Sequence, residues 1–160
     1  MISVSEALNH VFSLCDALNT ETVPLRDGLN RVLAADATAT RNQPPFATSI
    51  MDGYAVRDDE SRIGAQFTVI GEAAAGHAFA GTVDAGQAVR IFTGAPLPKG
   101  ASRVVIQENV TRATGDTADT ITQTDISRTT NIRNIGADFK TGDTVKAPRK
   151  LTPRDLALLA

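Results

Sequence analysis

Two short segments hold the residues that could bind a charged ligand. In the first, Ser49-Ile50-Met51-Asp52-Gly53-Tyr54-Ala55 follows a stiff Pro44-Pro45 pair and joins a hydroxyl pair, Thr48 and Ser49, to an Asp-Gly step. Aspartate before glycine puts a carboxylate on a backbone that can be approached closely. It could hold a hydrated cation or accept a hydrogen bond from a ligand. Asp-Gly is equally a common turn, so this reading and the ligand reading both stand at this level. In the second, Ile91-Phe92-Thr93-Gly94-Ala95-Pro96-Leu97-Pro98-Lys99 leaves an apolar run through threonine and glycine. A hydroxyl and unpaired N–H groups at such a strand end can serve an anion, and an ordinary strand-ending turn is the alternative. Neither segment has the glycine spacing of a P-loop or a dinucleotide fingerprint.

A third patch, Arg133-Asn134-Ile135-Gly136-Ala137-Asp138, places opposite charges five residues apart around a glycine, which reads first as an ion pair or turn cap. Asp58 and Asp59 adjoin on a stretch expected to be extended, so they would point apart on a solvated face. No Ser-His-Asp, Cys-His or nucleophile-elbow pattern offers covalent acyl transfer. Cys15 is the single cysteine, which excludes an internal disulfide, and its spacing from Val4, Leu8 and Val11 predicts a thiol buried as a small hydrophobe. His10 and His77 stand far apart without an acidic cluster between them, so neither reads as a metal ligand.

The elements that would position these loops change in texture along the chain. Ser3-Val4-Ser5-Glu6 fits a capping box and predicts a helix over 4–18. Leu29, Val32 and Leu33 predict a second helix over 26–35, followed by an extended exit over 36–43. From Pro44 onward β-branched runs between glycines and prolines predict strands over 66–71, 88–92, 103–109 and 120–126. The last two form an antiparallel hairpin through Thr114-Gly115-Asp116, and no helix long enough for a βαβ unit lies among them. Thr152-Pro153-Arg154-Asp155 combines an N-cap, a first-position proline and an acid three residues on, so a helix starts there. Only eight residues follow the cap, fewer than an isolated helix needs, so we expect further protein beyond Ala160.

The chain has 160 residues, 42% hydrophobic, and a net charge of −2, enough for a packed core and without the basic footprint that nucleic acid requires. Neither a signal peptide nor a membrane-spanning run is visible, which points to a cytoplasmic protein with no membrane partner.

The order and wording of the Met-Asp-Gly-Tyr-Ala and Thr-Gly-Ala-Pro-Leu-Pro strings, with Val104-Val105-Ile106-Gln107-Glu108, the Arg133 to Asp138 patch and Leu151-Thr152-Pro153-Arg154-Asp155, resemble the MoeA family of molybdopterin molybdenumtransferases, related to the C-terminal part of gephyrin. The resemblance implies an α+β, mostly β, N-terminal fragment. In it a helical-plus-extended lobe over 1–45 and 132–160 carries an inserted antiparallel β-rich lobe over 46–131. A pterin-binding α/β domain and a C-terminal β domain would follow. It implies molybdenum cofactor biosynthesis, in which the parent transferase inserts molybdate into adenylylated molybdopterin with release of AMP and the help of Mg2+, as a homodimer. A molybdopterin adenylyltransferase is the implied pathway partner, and the fragment alone is expected to be inactive. The alternative is a noncatalytic dimerisation or scaffold module of a gephyrin-like protein.

Carried over by position, Asp52, Thr93 and Asp138 are the implied catalytic residues, with Asp52 also the metal ligand. Ser49, Gly53 and Gly94 are implied in cofactor binding. Ala47, Lys99 and Ala137 depart from the residues usual at those places in the family, which alters the charge near Asp138 most.

Overall fold

The computed structural model describes residues 2–16 and 18–160. In chain order it runs through α1 (Val4–Ser13), β1 (Val32–Leu33), β2 (Ala37–Thr38), β3 (Thr48–Ser49), β4 (Gly53–Val56), β5 (Gln66–Ala73) and β6 (Gln87–Ile91). It continues through β7 (Arg103–Ile106), β8 (Val110–Ala113), β9 (Thr120–Gln123), β10 (Ile132–Arg133), β11 (Thr144–Val145), β12 (Arg149–Lys150) and α2 (Pro153–Leu159). Short 3-10 turns stand at Leu25–Asp27, Asp58–Glu60 and Gln107–Asn109. The fold is α+β with strands predominating. The chain divides into two compact units, Met1–Thr38 with Thr144–Ala160, and Ala39–Asp143.

In the first unit both capping boxes form. The Ser3 hydroxyl accepts from the Glu6 N–H, and the Glu6 carboxylate accepts from the Ser3 N–H at 2.7 Å. Helix α1 is nevertheless shorter than predicted and ends at Ser13; Ala17, within the predicted 4–18, lies outside the described residues. None of its side chains is buried, so no tertiary packing carries it through the weak helix formers Asp16, Asn19 and Thr20. Cys15 is exposed rather than buried, because the helix face to which its spacing assigned it has no core against it.

The predicted helix over 26–35 is a correction of kind. Only Leu25–Asp27 turns, Asn30 adopts a left-handed conformation (φ 65°), and Val32 and Leu33 pair antiparallel with Lys150 and Arg149. A pairing partner more than a hundred residues away outweighs the local apolar stripe. Ala37 and Thr38 pair likewise with Val145 and Thr144. Helix α2 begins where its cap predicts: the Thr152 hydroxyl accepts from the Asp155 N–H, and Asp155 accepts from the Thr152 N–H at 2.8 Å.

The second unit is built on a six-stranded sheet in the order β7-β4-β6-β5-β9-β8. Every neighbouring pair is antiparallel except β5 with β6, which is parallel. The expectation of a purely antiparallel lobe is corrected on that pair, although no helix makes the crossover over 74–86. Alternate side chains pack into two clusters. Tyr54, Val56, Phe67, Ala88, Val105 and Ile121 make one, and Ala55, Ala73, Val89, Ile91, Ala95 and Val104 belong to the other.

The predicted hairpin is shifted. Strand β9 pairs with β8, whereas Arg103–Ile106 crosses to the far end of the sheet beside β4. The change of course comes at Gln107, whose N–H is taken by the Asp52 carbonyl at 3.1 Å, opening the 3-10 turn between the two strands. Asp58 and Asp59 also lie on a 3-10 turn rather than extended backbone, where Asp58 pairs with Arg103 and Asp59 with Arg57. At the margins of this unit the Ala39 N–H donates to the Asp143 carbonyl at 2.8 Å and the Gly142 N–H to the Ala39 carbonyl at 2.9 Å. No helix among the described residues is long and apolar enough to cross a membrane.

Candidate functional site

Asp52 is the last residue of the three-residue passage, Ile50 to Asp52, from β3 into β4. Before it, the Ser49 hydroxyl donates to the Met51 carbonyl and accepts from the Met51 N–H at 3.3 Å, which folds the passage tightly. After it, Gly53 begins a strand buried at every position, and the place a Cβ would take there lies 2.1 Å from the Val105 carbonyl oxygen. Only glycine lets β4 and β7 approach so closely, and that approach fixes where Asp52 leaves the sheet.

Thr93 arrives from the other direction, two residues past the end of β6. Gly94 turns the chain at φ 81°, its N–H donates to the Ser49 carbonyl at 2.9 Å, and the Ser49 N–H donates to the Ala95 carbonyl at 3.1 Å. These backbone bonds lay the two loops side by side. The Asp52 Oδ1 atom accepts from both the backbone N–H and the Oγ1 hydroxyl of Thr93, each at 2.8 Å. The Thr93 N–H, then its hydroxyl, holds the Asp52 carboxyl below the usual aspartate range; partial burial opposes the shift and the Arg90 charge adds to it. No described residue donates a hydrogen bond to Oδ2, so a preoriented anionic oxygen remains available on a partly exposed rim.

The structure thus brings Asp52, Thr93, Ser49, Gly53 and Gly94 to one corner. Within it Ser49 is buried and its hydroxyl is committed to Met51, and Gly53 serves the close approach of two strands. Asp138 lies elsewhere, in the bend that follows β10, where its N–H donates to the Gln43 carbonyl at 2.8 Å. Its carboxylate pairs with Arg133, whose strand β10 runs antiparallel to β3 with Ile132 opposite Ser49 and Arg133 opposite Thr48. Among the described residues no hydrogen bond or ion pair joins Asp138 to Asp52 or Thr93. An open groove beside it is lined by Ile50, Ile132, Arg133, Asn134 and Lys140 among others.

One residue at the corner, Arg90, drew no attention in the sequence. Arg90 donates to the Gly53 carbonyl at 3.2 Å and to Gln107 Oε1 at 2.7 Å. Its guanidinium also lies 5.0 Å from the Tyr54 ring centre and 4.8 Å from that of Phe92. A lone cation inside the apolar run Ala88-Val89-Arg90-Ile91 was the available signal. Among the described residues no three or more His, Cys, Asp or Glu side chains cluster to hold a metal ion. Asp52 alone could contribute one carboxylate oxygen to a cation whose other ligands are waters and substrate oxygens, as is usual for magnesium.

With this fold and corner, the chain belongs to the family described as the MoeA N-terminal region (domain I and II), whose model matches residues 2–160. It is similar to the molybdopterin molybdenumtransferase of Haemophilus influenzae, 40% identical over 143 residues, 88% of this chain and 35% of that protein. The molybdopterin molybdenumtransferase of Staphylococcus aureus strain Mu50 is 36% identical over 166 residues, covering 99% of this chain and 39% of that protein. The crystal structure of the molybdopterin biosynthesis moeA protein from Pyrococcus horikoshii OT3 superposes with a TM-score of 0.80 at 35% identity, over 97% of this chain and 42% of that one. The chain therefore spans well under half the length of these relatives.

Proposed function

We propose that this chain is one part of a molybdopterin molybdenumtransferase of molybdenum cofactor biosynthesis, acting in the cytoplasm as a homodimer. Joined to the remaining domains, it takes part in inserting molybdate into adenylylated molybdopterin, with AMP as the leaving product. The names of the relatives support the transferase. The observation that carries the role of this chain is the Asp52–Thr93 pair: one carboxylate oxygen is locked by two donors from a single residue, and the other is left for a ligand.

A reaction between oxyanions needs positioned groups and charge control more than a covalent nucleophile, and the described residues offer no nucleophile–base arrangement. Asp52, kept ionised by Thr93, fits as a single carboxylate ligand to magnesium, with Thr93 fixing its orientation. Magnesium, when bound, supplies positive charge to the phosphate and molybdate oxygens. Asp138, oriented by Arg133, would belong to the same pocket through β3, and Gly94 would keep the rim open to substrate. The experiment places Asp52→Asn in the complete enzyme that contains this chain and measures molybdate insertion. Turnover reduced about a hundredfold is expected, as for the loss of one preorganised electrostatic group. Turnover equal to the parent's would remove Asp52 from the mechanism.

A further inference from the structure

Arg90 stands directly across the β4–β6 ladder from Tyr54, so its side chain rises on the same face as that ring. Four contacts radiate from it, and each lands beside one of the paired residues. The Gly53 carbonyl belongs to the residue that follows Asp52, and Tyr54 is the next. Phe92 is the residue before Thr93. Gln107, whose side chain accepts from Arg90, gives its backbone N–H to the Asp52 carbonyl.

We propose that Arg90 is a positioning residue for the Asp52–Thr93 corner, its planar guanidinium held against two rings and tying the segment after Asp52 to the segment before Thr93. Both loops are bonded to each other through only a few backbone contacts, and neither Asp52 nor Thr93 is in the core. The β4–β6 ladder already pairs Gly53 with Ile91 at the bases of the two loops, and the guanidinium adds a side-chain link to it. A guanidinium suits this place because it donates in two directions in its own plane while its faces stack on aromatic rings; an ammonium can keep the charge but cannot do both.

The inference rests on the reading of this corner as functional, but its test reads the corner directly. In this chain, Arg90→Lys is compared with the parent by amide hydrogen exchange. Exchange at the Thr93 amide is expected to rise about tenfold, a local opening, while the amides of β9 stay within about twofold of the parent. Exchange at Thr93 within about twofold of the parent would overturn the proposal. So would equal acceleration throughout β9, which marks a general loss of stability. Arg90→Met, which removes charge and fork together, must reproduce or exceed the lysine effect at Thr93, and failure to do so overturns it too. None of these readouts depends on molybdate insertion, so the transferase reading can fail while the clamp stands, and the reverse.

Discussion

A Cβ on Gly53 would lie 2.1 Å from the carbonyl oxygen of Val105, on the neighbouring strand of the sheet. The obstacle is backbone on both sides, so no rotamer change relieves it. Gly53→Ala is expected to lower stability by upwards of about 2 kcal/mol. Gly94→Ala meets nothing within 4 Å and carries only the left-handed penalty of its φ of 81°, so about 1 kcal/mol is expected. Urea denaturation of the two variants should rank them in that order.

The difference between these glycines was not legible in the sequence, where Gly53 reads as either a close approach for a ligand or a turn and Gly94 as part of an anion-binding or turn-forming strand end. Asp52-Gly53 reads as a turn because β4 has no alternation: it lies between β6 and β7 and is buried on both faces, so Tyr54, Ala55 and Val56 give no period. What is local was readable, including the caps at Ser3 and Thr152 and the runs that became β5, β6, β7 and β9. What depends on distant pairing was not, as with Val32 and Leu33 against Arg149 and Lys150, or β8 taking the place expected of β7 beside β9. The two loops of the corner were singled out through Asp52 and Thr93, while Arg90 was missed because its contacts exist only once three separate segments meet.

The buried carboxylate of Asp155 accepts from the hydroxyl and the N–H of Thr152 and pairs with Arg149 at 2.7 Å. Those contacts, the Thr152 hydroxyl first, lower its pKa to about 2. A depressed acid stabilises the fold above its unfolded value and loses that contribution as pH falls through the folded one. The stability difference between the parent and Asp155→Asn should therefore be constant above roughly pH 5 and shrink as the solution is acidified toward about 2. Chemical denaturation across that range reads it, and a gap that stays constant down to the acid end would refute the assignment.

Asn131 is buried with φ 57°, its amide donating to the Val104 carbonyl at 2.8 Å and accepting from the Thr129 hydroxyl at 2.9 Å. Replacement by alanine combines a stranded carbonyl with a strained backbone and is expected to cost about 2–3 kcal/mol. Asn131→Gly keeps the first loss and removes the second, so it should recover about 1 kcal/mol of that. Equal midpoints for the two variants would show that the left-handed conformation contributes nothing.

Cys15 is the one cysteine and is exposed. A thiol reagent should therefore modify the native protein rapidly and to one equivalent per chain, and Cys15→Ser should alter stability by no more than about 0.5 kcal/mol. Labelling that waits for denaturant would restore the buried thiol expected from its spacing.

The hydrogen bonds between Ala39 and the pair Gly142–Asp143 close the sheet-bearing unit into a loop whose two ends meet. A segment that departs and returns at one spot imposes little constraint on its host, because the host sees two neighbouring attachment points whatever lies between them. Residues 39–143 are in that sense a cassette: their strands can lengthen, shorten or be exchanged for a relative's without changing the distance the rest of the chain must bridge. Variation in the rim around Asp52 and Thr93 can accumulate there as a block, independently of the residues on either side of it.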